Sequence, residues 1–133
     1  LFAGRPAELT SQLGARFGPR QPLPEWALGG AVVGLKQGAA SFDRLERLID
    51  AGAAISGLWC EDWVGIRETS FGRRLFWDWQ WNADRYPDLP ARIAALKARG
   101  IRFLGYVNPY LAVDGPLFPE AAAKGFFAKC LDS

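Results

Sequence analysis

Gly57–Asn82 reads GLWCEDWVGIRETSFGRRLFWDWQWN, and its two parts differ in kind. The first residues close an apolar run, Ala54–Cys60 (AISGLWC), with the length and composition of a buried strand. The remainder is a long loop dense in indole and charge. The stretch holds five of the six tryptophans (Trp59, Trp63, Trp77, Trp79 and Trp81), the carboxylate pair Glu61–Asp62, and Arg67, Arg73 and Arg74. Aromatic faces with a few aimed polar groups suit a sugar or another small polar ligand. An aromatic-rich core segment with a solvated charged edge fits the same composition, and the residues alone leave the two readings open.

Upstream, Trp26–Lys36 (WALGGAVVGLK) predicts a preceding buried strand ending near Lys36. Between the two strands, Ser41 is the expected N-cap of a helix that buries Phe42, Leu45, Leu48 and Ile49, with Gly52 closing it. Beyond the loop, Asp88 is expected to cap a second helix with Pro90 in its first turn. Leu89, Ile93 and Leu96 share one face of that helix, and Gly100 ends it. Ile101–Val107 (IRFLGYV) predicts a third strand, stopped by Pro109, and Pro119–Lys124 a last short helix. Strand, helix, strand, long insertion, helix, strand amounts to two successive βαβ units and a parallel sheet with right-handed crossovers. Open doubly wound sheets and eight-stranded barrels both begin this way, and both carry their chemistry at the carboxyl ends of the strands. Those ends carry Lys36, Glu61–Asp62 and Asn108.

Composition narrows the classes. The 133 residues are 50% hydrophobic with a net charge of +2 and no long apolar run, which describes a soluble globular protein without a transmembrane helix. With no polybasic block, neither nucleic acid nor an anionic membrane is the expected partner. The absence of histidine removes Ser-His-Asp, Cys-His and HExxH chemistry from these residues. Two cysteines, Cys60 and Cys130, are too few for a disulfide framework; Cys60 lies in an apolar run and is expected as a buried reduced thiol, and a cytoplasmic setting is expected. The chain starts at leucine and lacks methionine, which leads us to expect a piece of a longer protein. Residues 1–23, with the run Gly18–Pro22 and a possible short helix over Ala7–Phe17, read as a linker or tail of an upstream region.

The short motifs are weak. Gly29–Gly34 (GGAVVG) has Ala31 where a dinucleotide loop needs glycine, and Gly34–Ser41 (GLKQGAAS) lacks the GK[ST] ending of a phosphate loop. Glu61 and Asp62 point to opposite faces if extended, which argues against an acid/base pair. Glycosidase carboxylates normally come from separated segments. Glu61 therefore suits a substrate hydroxyl, with a salt bridge to Arg67 of comparable weight. Trp77, Trp79 and Trp81 alternate with Asp78 and Gln80 and share a face if extended, two of them packing in the core and one left for a ligand. Arg74 lies three residues before Trp77, so a turn brings a guanidinium and an indole N–H together. Those donors match sulfonate, phosphate or carboxylate oxygens.

The run DWVGIRETSFGRRLFWDWQWN, the strand with Lys36, and Gly105–Leu111 (GYVNPYL) together resemble glycoside hydrolase family 31, and within it the bacterial sulfoquinovosidases, over about Leu23–Lys129. The resemblance implies a parallel (β/α)8 TIM barrel, of which 24–133 would be the amino-terminal part with roughly three of the eight strands. It implies a retaining α-glycosidase with an aspartate nucleophile on strand four, a later aspartate acid/base, and no metal or organic cofactor. Its ligands are small sulfonated sugar glycosides, the α-sulfoquinovosides of sulfolipid origin. By position, Arg74 and Trp77 match the sulfonate-binding arginine and tryptophan. Lys36 and Glu61 match the pair that contacts neighbouring sugar hydroxyls. Both catalytic aspartates are expected beyond Ser133, so no carboxylate of this chain is assigned a catalytic role. The chain alone is expected neither to fold stably nor to hydrolyse glycosides. A family 31 α-glucosidase for other sugars and a non-catalytic anionic-sugar binding remnant are the alternatives.

Overall fold

Three parallel strands form the organising sheet of the computed structural model, which describes residues 3–18 and 21–129. In chain order the elements are α1 (Pro6–Phe17), α2 (Glu25–Leu28), β1 (Ala31–Leu35), α3 (Ala40–Asp50), β2 (Ile55–Cys60), β3 (Ile66–Thr69), β4 (Gly72–Leu75), α4 (Leu89–Ala98), β5 (Arg102–Gly105) and α5 (Phe118–Ala123). The sheet order is β1-β2-β5, with β2 central and both pairings parallel. β3 and β4 form a separate antiparallel hairpin in the long insertion after β2. Cys130 and Pro19–Arg20 of the expected linker run lie outside the described residues.

The core sits between the sheet and the two crossover helices. Leu35 from β1, Leu58 and Cys60 from β2, Phe42 and Leu45 from α3, and Leu89 and Leu96 from α4 are its members. Tyr86 enters it from the loop before α4, its ring meeting Phe42 edge-on with centroids 6.2 Å apart. Ile93 packs against this cluster at intermediate burial, as the helical spacing predicts. Ser56 is the polar intruder on β2, and its hydroxyl donates to the Gly30 carbonyl at 2.8 Å, which offsets the cost of burying it.

Several boundaries differ from expectation for local reasons. Trp26 is not in the first strand. Pro24, its φ fixed at −62° by the ring, precedes a short helical turn, and the Gly29 amide closes that turn on the Trp26 carbonyl at 3.3 Å. The chain joins the sheet only after Gly30, where an added Cβ would lie 2.6 Å from the Ala54 carbonyl oxygen. Ser41 is not an N-cap. Gly38, at φ +63, turns the chain earlier, and the Ala39 amide is taken by the Arg85 carbonyl at 2.9 Å. The helix has therefore begun by Ser41, whose buried Oγ instead accepts from the Gln37 amide at 2.9 Å. Asp88 does precede α4, but at φ +55 its side chain makes no capping bond. β5 ends at Gly105, short of Val107, although the Tyr106 amide still donates to the Cys60 carbonyl at 2.8 Å. α1 covers one more residue than the expected short helix and buries none of its side chains.

The tryptophan alternation fails as a strand. Residues 77–81 form no ladder, and Trp79 sits at φ +59, so the three indoles share no single face. A bulky residue in that region is strained. The Trp79 indole offsets this by donating to the Tyr110 carbonyl at 2.8 Å. None of the three is a core residue, and Trp79 and Trp81 are each 45% exposed.

Candidate functional site

Lys36 and Glu61 each follow the last residue of a strand, and because Leu35 pairs with Cys60 in register they emerge side by side. Lys36 Nζ lies 3.1 Å from Glu61 Oε2. The salt bridge from Glu61 to Arg67, one of the two readings of Glu61, does not form; Arg67 pairs with Asp114 instead. The adjacent parallel strands fix the Lys36–Glu61 contact, whereas Arg67 is carried away on β3.

Asp62, the next residue, is buried. Arg85 Nε donates to its Oδ2 at 2.6 Å, and the Tyr86 hydroxyl donates to Oδ1. Arg85 Nη2 also reaches the Lys36 carbonyl at 3.3 Å. The Cys60 thiol lies 3.1 Å from the Tyr86 oxygen. Burial pushes this thiol up to about 11, and burial together with the Asp62 carboxylate raises the Tyr86 hydroxyl above the ordinary phenol range. Glu61 thus pairs with Lys36 at the surface, while the buried Asp62 anchors the loop after β1 through Arg85. β2 ends at Cys60, so both residues belong to the loop and the strand argument does not apply to them; they line the same hollow and differ in burial and partners.

The hairpin supplies the cationic wall. Its ladder sets Arg67 opposite Arg74 and Glu68 opposite Arg73. Glu61 and Arg74 line two adjoining hollows. The first, of about 380 Å³, also takes in Lys36 and Arg85. The second, of about 510 Å³, takes in Trp77, Tyr106 and Asn108. The four expected residues therefore gather around one concave surface, with Lys36 and Trp77 at opposite ends. Asn108, expected from its place after the third strand, joins the Trp77 end. Tyr106 was missed. Its ring meets both Trp59 and Trp77 edge-on, with centroids 5.5 Å apart in each case, so it braces the indole wall. Its place at a predicted strand end was the signal.

Charge pairing is uneven across this surface. Lys36 is held by Glu61, Arg67 by Asp114, Arg73 by Glu68 and Arg85 by Asp62. Arg74 has no carboxylate partner among the described residues, and its Nη1 donates only to the Arg73 carbonyl, at 3.0 Å. The indole N–H groups of Trp63 and Trp79 are taken up by the carbonyls of Tyr106 and Tyr110. That of Trp77 donates to no acceptor among the described residues. A guanidinium and an indole N–H thus remain free to meet an anion. No group of three His, Cys, Asp or Glu side chains able to hold a metal occurs among the described residues, and no described helix is long and apolar enough to cross a membrane.

Comparison with known proteins supplies a context for this surface. Residues 20–133 match the family model described as the glycosyl hydrolases family 31 TIM-barrel domain. The chain is 59% identical to a sulfoquinovosidase of Agrobacterium fabrum over 98% of its own length and 20% of the relative's. It is 41% identical to a sulfoquinovosidase of Escherichia coli, over 91% of this chain and 18% of that protein. Among solved structures, a family 31 sulfoquinovosidase from E. rectale, in complex with the aza-sugar inhibitor IFGSQ, superposes with a TM-score of 0.81. That match is 44% identical and covers 94% of this chain and 19% of the other. The chain spans about one fifth of the length of the curated relatives it matches.

Proposed function

The chain belongs to glycosyl hydrolase family 31, within its TIM-barrel domain, and from that premise we propose that it is part of a retaining α-glycosidase that hydrolyses α-sulfoquinovosides. Residues 24–133 form the amino-terminal part of the catalytic barrel in this reading, preceded by a linker over 1–23. The chain carries substrate recognition, and the bond-cleaving carboxylates belong to the part of the barrel beyond it. On its own it is inactive.

The observation that carries the reading is Arg74, the cation on the concave surface without a carboxylate partner among the described residues. A guanidinium left uncompensated in a hollow that an indole with a free N–H also lines matches the tetrahedral oxygens of a sulfonate. Lys36 and Glu61, already paired, present a donor and an acceptor to vicinal sugar hydroxyls. Trp77 supplies the indole N–H and an aromatic flank. The names of the relatives point the same way. A reducing cytoplasm is proposed as the compartment, which the buried thiol of Cys60 fits.

The test is release of the phenol from an aryl α-sulfoquinovoside by the full-length protein. Efficient release, with the matching aryl α-glucoside turned over far more slowly, is the expected result. Turnover of the neutral glucoside alone would sink the proposal.

A further inference from the structure

Arg67 and Arg74 stand directly opposite each other on β3 and β4, so their side chains leave the hairpin on the same face. Two guanidiniums in that position repel each other and compete for the same anion. The fold deals with Arg67 specifically. Its Nη1 donates to both carboxylate oxygens of Asp114, at 2.9 and 3.1 Å, from the loop after β5. Its guanidinium carbon also lies 5.2 Å from the centre of the Phe76 ring. The same loop makes two further bonds with the segment after β4: the Ala112 amide donates to the Trp77 carbonyl at 2.6 Å, and the Trp79 indole to the Tyr110 carbonyl at 2.8 Å. The loop thus grips the hairpin at Arg67 and the indole segment at Trp77 and Trp79.

We propose that Arg67 and Asp114 are a positioning clamp that sets the register of the hairpin against the β5 loop and so aims Arg74 and Trp77 at the anionic end of the substrate. The inference rests on the sulfonate reading above and extends it to two residues that bind each other and leave the substrate to Arg74. Quenching Arg67 also leaves Arg74 as the unpaired cation, so the clamp selects one anion position out of two.

The test compares Arg67→Gln, Asp114→Asn and the double variant in the full-length protein, with Arg74→Ala alongside. Each single variant is expected to raise KM for an aryl α-sulfoquinovoside about three- to five-fold, the scale of a well-formed exposed ion pair, with kcat nearly unchanged. KM for the aryl α-glucoside stays put, and the double variant is no worse than either single one, because the clamp is already lost. A bulk charge effect would instead move the two single variants in opposite directions and cancel in the double. That pattern, or an equal rise of KM for both substrates, overturns the clamp. If Arg74→Ala is selective for the sulfonated substrate while the clamp variants change nothing, the clamp alone fails. If Arg74→Ala impairs both substrates equally, the sulfonate reading fails and the clamp's role falls with it.

Discussion

Lys36 and Glu61 stand one residue beyond a register pair of two parallel strands, and their charged atoms meet at 3.1 Å. The strands bring them together without help from the loops, so register alone places a donor beside an acceptor. Behind them, Asp62 and Arg85 hold the loop that begins at Lys36. In front, the hairpin offers Arg74. The buried support, the Lys36–Glu61 pair and the unpaired guanidinium therefore come from three separate segments around one sheet end.

Because Lys36 is 67% exposed, its ion pair contributes little to stability, no more than about 1 kcal/mol. Lys36→Ala and Glu61→Ala are expected to leave the thermal midpoint of the full-length protein nearly unchanged. In the proposed reading each removes a charged hydrogen-bonding partner of the sugar, so KM for the sulfonated substrate should rise about ten-fold or more. Thermal scans and steady-state kinetics on the same preparations check both halves.

Asp62 behaves in the opposite way. It is buried, and it accepts from Arg85 and Tyr86 together. Asp62→Ala leaves the Tyr86 hydroxyl without its acceptor and Arg85 without its counter-charge, a loss on the order of 3 kcal/mol. Denaturant unfolding should show a clear drop in midpoint. A midpoint unchanged from the parent would mean that this network does not hold the loop after β1.

The Cys60 thiol gives a pH signature. Burial raises it from 9.0 to about 11, so the folded state holds its proton more tightly than the unfolded one. Stability from this group is fully present below pH 9 and is lost as pH rises through about 11, because the unfolded chain releases the proton first. Tyr86 adds a loss in the same direction, beginning near its ordinary value of 10.0. Alkylation of Cys60 by iodoacetamide at pH 8 should be slow in the folded protein and fast after denaturation. Melting curves from pH 8 upward check the linkage.

The sheet was readable in advance because its strands are apolar runs and its crossover helices carry Phe42, Leu45, Leu89 and Leu96 at helical spacing, all of which are buried. The hairpin was not readable. Ile66–Thr69 and Gly72–Leu75 expose nearly every residue, so they lack the alternation that marks a half-buried strand. Their link through Ser70 and Phe71 into Gly72, at φ +85, was the remaining signal. The Trp77, Trp79 and Trp81 alternation misled because periodicity implies a shared face only while the backbone stays extended, and Trp79 is not extended. The Arg67 alternative for Glu61 rested on nearness in sequence, whereas strand register sets Lys36 beside it. Among the candidate site residues, Lys36 and Glu61 were suggested by the strand ends and Arg74 with Trp77 by their three-residue spacing, while their specific roles rested on family likeness.

The most direct measurement compares kcat/KM of the full-length protein and its Arg74→Ala variant on matched aryl α-sulfoquinovoside and aryl α-glucoside. Truncating Arg74 leaves the sulfonate without its charged donor, which is expected to cost about 2–4 kcal/mol on that substrate, a loss of about 30-fold or more. The neutral glucoside, which places no anion there, should lose less than about three-fold. Equal losses on the two substrates would contradict the assignment of Arg74 as the residue that reads the sulfonate.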